Sequence, residues 1–395
     1  MPSIQKRSMF SGKREMNMNQ YGKVKVAVIG TGHIGRYMRV CYEPMTGGNL
    51  KERAILIKAT TNRVEEIRKE FGCPVVVGDG LEVLITFQPD VILVCPPPSQ
   101  IPPIIENTLV PLARERRKIG LPKPDIYSFG PRPSVDCFYA ALGDNANIVK
   151  ILPNMFYEIK GKKAAFLEAN YITFSETHPW PADAKARLDS FLEPLVNTYV
   201  VSEKDSVPFL GVRNAAHGLY DMCFLISDAM NARGIPGEHH QLAASVMRAE
   251  LRHHWKDMPP QLVPCALTDL PSPISEFAAR SVMEWILGLG DFCMEDHLPS
   301  EMADIVRRLR AEAYLASICV YNREELNSQT RAHATKGGVC EMSGIFFKQY
   351  CQEQMMDAFN NHLDGLLSSD WWAKWRKLGR DAAYTVARHG MRLSN

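Results

Sequence analysis

Three glycines near the amino terminus have a spacing that could bind the phosphates of a dinucleotide. Residues 23–29 are apolar at nearly every position, as in a buried strand, and the GxGxxG pattern follows them directly. Such a turn lets the backbone approach a pyrophosphate, which N–H groups at a helix start then stabilise. Glycines also mark ordinary turns, but the strand context favours dinucleotide binding. The residues predicted to contact the cofactor here are Gly30, Thr31, Gly32, His33, Ile34 and Gly35.

The end of the second predicted strand, 54–59, indicates which nicotinamide cofactor is bound. Thr61, Asn62 and Arg63 follow it, and no carboxylate stands among them. A carboxylate would bind the ribose 2′-hydroxyl of NAD and repel a 2′-phosphate, whereas a guanidinium pairs with that phosphate. The sequence therefore predicts NADP(H), bound through these three residues. The alternative is that Asn62 caps a helix over 63–71 and that Arg63 is a solvated residue of its first turn.

The elements that position these residues alternate between strand and helix over residues 23–153, which is typical of a doubly wound parallel sheet. Further strands are predicted at 75–77, 91–95, 126–129, 148–152, 171–174 and 198–201. Long helical patterns follow at 212–233, 237–255, 275–289, 302–326 and 344–367. The predicted fold class is α/β, with an N-terminal Rossmann doubly wound parallel sheet followed by a mostly α-helical C-terminal domain.

This pattern divides the chain of 395 residues into a flexible leader (1–22), a Rossmann dinucleotide-binding domain (23–205) and a helical substrate and dimerisation domain (206–395). An insertion containing a proline-rich stretch is expected at about 258–329. The leader lacks the apolar centre of a secretion signal, and a mitochondrial targeting role for it stays open.

Composition narrows the classes of partner. A net charge of +2 gives no electrostatic reason to expect nucleic acid or an anionic membrane surface. No apolar run reaches membrane-spanning length. The ten cysteines are scattered without a CxxC pair, which favours reduced thiols and a cytoplasmic location. Two histidine pairs, at 239–240 and 253–254, lack a metal-binding spacing such as HExxH, so no metal is predicted.

Five fragments in a fixed order connect the chain to a known family. They are GTGHIG at 30–35, Asn62-Arg63, DVILV at 90–94 before three prolines, IVKILPNMFYEIK at 148–160 and HATKGGVCEMSG at 333–344. Taken together, they resemble the pyrroline-5-carboxylate reductase family. The order and spacing match over about 23–257 and again over about 330–366.

The resemblance implies hydride transfer from NAD(P)H to the carbon of a cyclic imine that bears a carboxylate. It also implies a homodimer formed by the C-terminal helices, with the active site between the nicotinamide and the helices of paired subunits. Cys95, Pro96 and Pro97 would lie along the nicotinamide ribose, and Asn154 beside the nicotinamide. Backbone N–H groups would bind the substrate carboxylate in a turn formed by Lys336, Gly337, Gly338, Val339 and Cys340.

The chain departs from the family at the substrate side. Val339 and Cys340 replace two threonines of the family turn, and the lysine of the family VKPQ segment is a proline here. His217 replaces a small residue at a helix start, and its titration range suits a proton donor to the imine nitrogen. Tyr220, one turn further on, could share that face. Three of the candidate residues have a structural alternative. His217 could be a packing residue, Lys336 an ordinary exposed lysine and Cys340 a small packing thiol.

The leading hypothesis is an NADPH-dependent reductase of a C=N bond in a small carboxylate-bearing substrate. A dehydrogenase of a keto or hydroxy acid is the second, although the lysine that such enzymes usually carry as acid and base is missing from 213–220. The third is a non-catalytic NADP-binding regulatory protein, which the loss of both threonines keeps open.

Overall fold

A computed structural model of the chain forms two units, one built on a β-sheet and one built of helices. The structure describes residues 5–6, 24–153, 158–159, 162–163, 170–195, 198–250, 270–296, 298–299, 302–303, 306, 315, 318–319, 321–333 and 337–392. The sheet unit comprises the described residues of 5–153 and 170–206. The helical unit comprises those from Val207 onward, together with a short strand pair at 158–159 and 162–163.

The sheet unit contains the Rossmann strand order. The strands in the described residues are β1 (Gln5–Lys6), β2 (Val26–Ile29), β3 (Ala54–Lys58), β4 (Val75–Val77), β5 (Val91–Val94), β6 (Asp125–Ser128), β7 (Asn147–Leu152), β8 (Glu158–Ile159), β9 (Lys162–Lys163), β10 (Asn170–Phe174) and β11 (Thr198–Val200). Nine of the described strands form one sheet in the order β1-β11-β10-β7-β6-β5-β2-β3-β4. The block β4-β3-β2-β5-β6-β7 is parallel throughout, which is the doubly wound order 3-2-1-4-5-6.

The chain reverses its direction of travel across the sheet at β2. The strands β3 and β4 lie on one side of it and β5 lies on the other, with Val28 paired to both Leu56 and Leu93. In open parallel sheets, ligands bind outside the carboxyl ends of the strands at this switch point. The predicted glycine turn follows β2 directly, so the fold places it at that point.

Apolar side chains are buried on both faces of the sheet. In β2, Val26 and Val28 belong to one core cluster, whereas Ala27 and Ile29 belong to another on the opposite face. The helices that enclose the sheet are α1 (His33–Tyr37), α2 (Arg39–Met45), α3 (Leu50–Arg53), α4 (Val64–Phe71), α5 (Leu81–Phe87), α6 (Ile101–Ile104), α7 (Val110–Lys118), α8 (Val135–Leu142) and α9 (Ala182–Leu192). Burial on both faces is the physical reason that these strands read as continuous apolar runs.

The leader differs from the sequence-based expectation. Gln5–Lys6 pairs with β11 as an antiparallel edge strand, although a flexible segment is expected over 1–22. The first helix ends at Tyr37, and α2 follows after Met38. Short pairing partners such as β1 carry no periodic pattern of their own, so tertiary contact decides them.

The helical unit consists of long helices, several of them divided where one was expected. They are α10 (Glu203–Ala215), which begins in the sheet unit, α11 (Gly218–Ala232), α12 (His239–Glu250), α13 (Ser272–Glu295), α14 (Arg323–His333), α15 (Val339–Tyr350), α16 (Gln352–Leu363) and α17 (Trp371–Arg392). The single helix expected over 212–233 is interrupted at 216–217, and the one over 344–367 breaks at Cys351. Much of the expected insertion at 258–329 lies outside the described residues.

Two glycines let α13 and α17 cross closely. A Cβ on Gly288 would lie 2.1 Å from the carbonyl oxygen of Arg376, and one on Gly379 would lie 2.7 Å from that of Trp285. Trp375 is buried at the crossing, where its indole N–H donates to the Ser281 carbonyl at 3.0 Å. The helix α17, which contains this tryptophan, is therefore part of the core of the helical unit.

Candidate functional site

The three glycines play different structural parts in the turn between β2 and α1. Gly30 has a φ of 90°, and its N–H donates to the Ile57 carbonyl at 2.9 Å. A Cβ on Gly35 would lie 2.2 Å from the Gly30 carbonyl oxygen, so no larger residue lets α1 begin this close to β2. A Cβ on Gly32 would meet no described protein atom within 4 Å. The fold requires Gly30 and Gly35, whereas the space beside Gly32 is open.

The proline loop after β5 lies against the glycine turn. The N–H of Cys95 donates to the Ile29 carbonyl at 2.9 Å, and a Cβ on Gly30 would lie 2.9 Å from the nitrogen of Pro96. Cys95 and Pro96 are buried, and Pro97 is exposed. Burial raises the pKa of the Cys95 thiol, which keeps it neutral. The structure thus brings the two loops together, while their contact with a nicotinamide ribose stays a prediction.

Thr61, Asn62 and Arg63 are exposed beyond β3. The alternative in which Asn62 caps the helix is wrong, because Arg63 is the N-cap of α4, with a φ of 58° and no side-chain capping hydrogen bond. The Arg63 guanidinium is half-exposed and donates to Glu66 at 2.7 Å. A phosphate bound by Arg63 would therefore share that guanidinium with Glu66.

In the helical unit, the structure joins two segments that the sequence suggests for substrate chemistry. The Cys340 thiol donates to the side-chain oxygen of Asn214 at 2.7 Å, and the Ser343 hydroxyl donates to the Asn214 carbonyl at 2.8 Å. These bonds connect the start of α15 to the end of α10. Cys340 is thus a hydrogen-bonded thiol that helps hold the two segments together.

The glycine turn before α15 already has a carboxylate of this chain bound to it. Gly337 has a φ of 71°, Gly338 is the N-cap of α15 and Val339 is its first residue. The N–H of Gly337 donates to the carboxylate of Glu341, and its carbonyl accepts from His389 Nε2 at 2.7 Å. One N–H group that the family resemblance assigns to a substrate carboxylate is therefore taken by Glu341. Lys336 and Asn154 lie outside the described residues.

His217 and Tyr220 lie side by side in the helical unit. His217 is the N-cap of α11, both side chains are buried, and their ring centroids are 5.8 Å apart with planes inclined at 62°. The missing side chain of Gly218 makes room for Trp285, whose ring would be 2.8 Å from a Cβ there. A packed environment of this kind suits the structural alternative for His217. Its role as a proton donor stays a prediction.

Asp221 follows Tyr220 and is an unusual carboxylate. Burial raises its pKa to about 7, although the positive charge of Arg323 acts in the opposite direction. This carboxyl group therefore retains its proton to a much higher pH than an ordinary aspartate does. The sequence alone gives no sign of this, because the shift depends on what surrounds the side chain.

Three residues with a part in these arrangements are absent from the sequence-based candidates. Glu66 stands three residues after Arg63, a spacing at which helical side chains meet. Glu341 is the third residue of α15, the position from which a glutamate reaches back to the backbone before a helix. Both spacings are visible in the sequence. Asn214 is not foreseeable in this way, since its partner Cys340 is 126 residues away.

No protein-family model and no curated protein match the sequence. The solved structures to which the chain is similar include the pyrroline-5-carboxylate reductase of Coxiella burnetii, at 13% identity over 88% of this chain and 100% of that one, with a TM-score of 0.38. The Plasmodium falciparum pyrroline carboxylate reductase with NADP bound shares 12% identity over 91% and 99% of the two chains, with a TM-score of 0.35. The prephenate dehydrogenase of Aquifex aeolicus shares 10% identity over 71% and 96%, with a TM-score of 0.37. Similarity at this level carries no information on substrate or activity.

Among the described residues, no helix combines the length and the apolar character needed to cross a membrane. Among the described cysteines, none forms a disulfide.

Proposed function

We propose that the protein is an NADPH-dependent oxidoreductase whose sheet unit binds the dinucleotide at the glycine turn. The contrast among the three glycines carries this proposal. Gly30 and Gly35 are explained by protein contacts, whereas the Cβ position of Gly32 is open. The fold itself therefore gives no reason for a glycine at position 32. Close approach of the backbone to a pyrophosphate, at the switch point of a doubly wound sheet, would require one.

The phosphate-bearing form of the cofactor is favoured by the residues beyond β3. Arg63 presents a half-exposed guanidinium there, beside the exposed Thr61 and Asn62. A guanidinium pairs with a phosphate through two parallel hydrogen bonds, which a 2′-hydroxyl cannot match. We therefore assign NADP(H) rather than NAD to this site.

For the reaction, we propose reduction of a C=N bond in a small carboxylate-bearing imine such as a pyrroline carboxylate. NADPH, held at the glycine turn, would supply the hydride for the imine carbon, and a proton added to the nitrogen would complete the amine. The motif resemblance supports this reaction class. His217 and Tyr220 are the candidates for the proton, and the turn at Gly337, Gly338 and Val339 is the candidate for the carboxylate.

A second candidate is a non-catalytic NADP-binding regulatory protein, and Glu341 is the observation that favours it. Its carboxylate occupies the Gly337 N–H and places a negative charge where a substrate carboxylate would bind. Like charges at one site oppose each other. An active enzyme would have to displace Glu341 or take a substrate without that carboxylate.

Cofactor binding can be tested by titrating the protein with NADPH and with NADH, following the transfer of excitation from tryptophan to the bound nicotinamide. We expect Arg63→Ala to weaken NADPH binding about tenfold or more, because a charge-assisted hydrogen bond contributes about 1.5–3 kcal/mol. NADH binding should be unchanged. Arg68→Ala on the same helix is the matched control, since Arg68 is also half-exposed and paired to a glutamate. Equal losses for both cofactors would contradict the assignment of Arg63.

The reaction is tested separately, by NADPH oxidation with pyrroline carboxylates and with 2-keto acids as the added substrate. Turnover with the pyrroline carboxylates alone supports C=N reduction, and turnover with keto acids alone replaces it with the dehydrogenase hypothesis. Tight NADPH binding without turnover on either class would favour the regulatory protein.

A further inference from the structure

Glu238, His239 and His240 lie together at the start of α12 and are the group to which we assign a further site. Their ligand atoms all lie within 4.8 Å of one another. The histidine pair lacks a metal-binding spacing such as HExxH, so the sequence predicts no metal here. In the structure, the two imidazole centroids are 5.5 Å apart with planes inclined at 85°. The glutamate directly before the helix completes a group of two imidazoles and one carboxylate.

The tautomer of His239 is fixed by the backbone. Its Nε2 lies 3.1 Å from the Tyr321 carbonyl oxygen, which can only accept a hydrogen bond, so Nε2 carries the proton. The lone pair of the neutral ring is then on Nδ1, which lies 3.9 Å from the Glu238 carboxylate. A histidine that ligates a metal through one nitrogen commonly donates from the other to a carbonyl, which holds the ring in place.

The surroundings fix the His239 side chain and leave the side chains of Glu238 and His240 free to move. The His239 ring is buried and packs on the edge of Phe224, with centroids 4.9 Å apart. The backbone of Glu238 is held by its N–H, which donates to the Gln241 side chain at 2.8 Å. The side chains of Glu238 and His240 are exposed and partly exposed, respectively, so an ion has a route from solvent.

One cation lies close to this group, and its charge is already compensated. Arg323 stacks over Phe224, and its guanidinium donates to both oxygens of Asp228 at 3.0 and 2.9 Å. A bidentate pair of this kind neutralises the guanidinium locally. The carboxylate of Glu238, 3.9 Å from His239 Nδ1, is the acidic group that the cluster offers to a cation.

We propose that Glu238, His239 through Nδ1 and His240 bind a divalent first-row transition metal ion, for which Zn²⁺ is the probe. Two imidazoles and one carboxylate form a donor set that Zn²⁺ accepts, with water in the fourth position. Ligand distances of about 2.0–2.2 Å would require the donors to close together, which the exposed Glu238 side chain and the partly exposed His240 side chain allow. The ion would fasten the start of α12 to the segment at Tyr321. This proposal is independent of the reductase hypothesis.

The test is calorimetric titration of the metal-free full chain with Zn²⁺. We expect one site, with His240→Asn and Glu238→Gln each weakening it at least tenfold, as loss of a ligand should. Both changes spare the contact between His239 and Tyr321. His362→Asn is the matched control, because the Nε2 of His362 also meets a backbone carbonyl, that of Pro273 at 3.0 Å, and should leave binding unchanged.

Co²⁺ provides a second readout, since its visible absorption reports coordination number without requiring any activity. Far-ultraviolet circular dichroism checks that each variant is folded. No Zn²⁺ binding by the folded wild type would overturn the proposal, as would full retention in the double variant carrying His240→Asn and Glu238→Gln. An equal loss with His362→Asn would show that the ion binds exposed histidines nonspecifically and would overturn it too.

Discussion

At the scale of single residues, the guanidinium of Arg63 is the centre of the proposed cofactor preference, and it already has a partner. Glu66 accepts from it at 2.7 Å, one turn into α4. Exposed ion pairs of this kind contribute little to folding. Such a pair can nevertheless weaken the binding of a phosphate, because the guanidinium must leave the glutamate or be shared with it before the phosphate binds.

Removal of Glu66 should therefore improve the site. We expect Glu66→Gln to tighten NADPH binding by roughly twofold or more, because the competing ion pair and a charge that repels the phosphate both disappear. Glu65→Gln is the control, since Glu65 pairs with Arg68 instead. The measurement is the dissociation constant for NADPH. A tightening in Glu65→Gln as large as in Glu66→Gln would mean that net charge alone acts.

Asp221 should make stability depend on pH. Its pKa is raised to about 7 in the folded chain, whereas an unfolded aspartate ionises near 3.9. Between these values the folded state holds a proton that the unfolded state releases, so the free energy of unfolding falls as pH rises, by up to about 1.4 kcal/mol per pH unit. Urea unfolding at about pH 5 and about pH 8 measures this. Asp221→Asn should flatten the dependence, and Asp357→Asn, at an exposed carboxylate, should leave it in place.

At the scale of elements, the glycine turn separates a folding requirement from a binding requirement. Gly35→Ala would place a Cβ 2.2 Å from the Gly30 carbonyl oxygen, so we expect a loss of stability of about 1–3 kcal/mol or more. Gly32→Ala meets no described protein atom within 4 Å and has a φ of −70°, so it should fold normally. Its methyl group should nevertheless weaken NADPH binding at least tenfold. Thermal unfolding and NADPH titration of both variants test the distinction, and unaltered NADPH binding by Gly32→Ala would contradict the proposed phosphate contact.

Two glycine-to-alanine variants of α13 test how closely this helix crosses α17. Gly288→Ala would place a Cβ 2.1 Å from the Arg376 carbonyl oxygen and should separate the helices, at a cost of about 1–3 kcal/mol or more. Gly290→Ala, two residues further along the same helix, meets its nearest atom at 3.8 Å. Higher helix propensity should then raise stability by up to about 1 kcal/mol. Denaturant midpoints compare the two variants, and equal effects would contradict the close approach of the two helices at Gly288.

At the scale of the whole molecule, exposed large apolar side chains are concentrated in the helical unit. Six of the eight in the described residues lie there, and Leu287 and Met294 fall on one stripe of α13 because they are seven residues apart. The sheet unit has the other two, Val77 and Ile119. Exposed apolar residues that share one stripe of a helix can contribute to an association face.

We therefore propose a homodimer formed through the helical unit. Sedimentation equilibrium should show a dimer for the wild type, and Met294→Asp should shift it toward the monomer, because a carboxylate would be desolvated at the contact. Ile119→Asp, at a similarly exposed apolar residue of the sheet unit, should leave the dimer intact. A monomeric wild type, or a dimer that both variants weaken equally, would contradict this face.

The sheet unit was largely predictable from the sequence, and the helical unit was predictable only in outline. The strands from β2 to β7 are short apolar runs with turn signals between them, so residue order alone indicates them. The divisions at 216–217 and at Cys351 interrupt continuous helical patterns and have no sequence signal of that kind. The candidate site follows the same division, since the glycine spacing is local whereas the bond from Cys340 to Asn214 spans 126 residues.

The sequence by itself determined the α/β fold class, the glycine turn after the first buried strand and the absence of a carboxylate before Arg63. These features depend on neighbours in the chain, for which local sterics and burial pattern suffice. Only the tertiary structure decided that Gly32 faces open space, that Cys340 bonds to Asn214 and that burial raises the pKa of Asp221. Each of these depends on where side chains meet in space, and folding fixes that placement through contacts that sequence spacing alone does not specify.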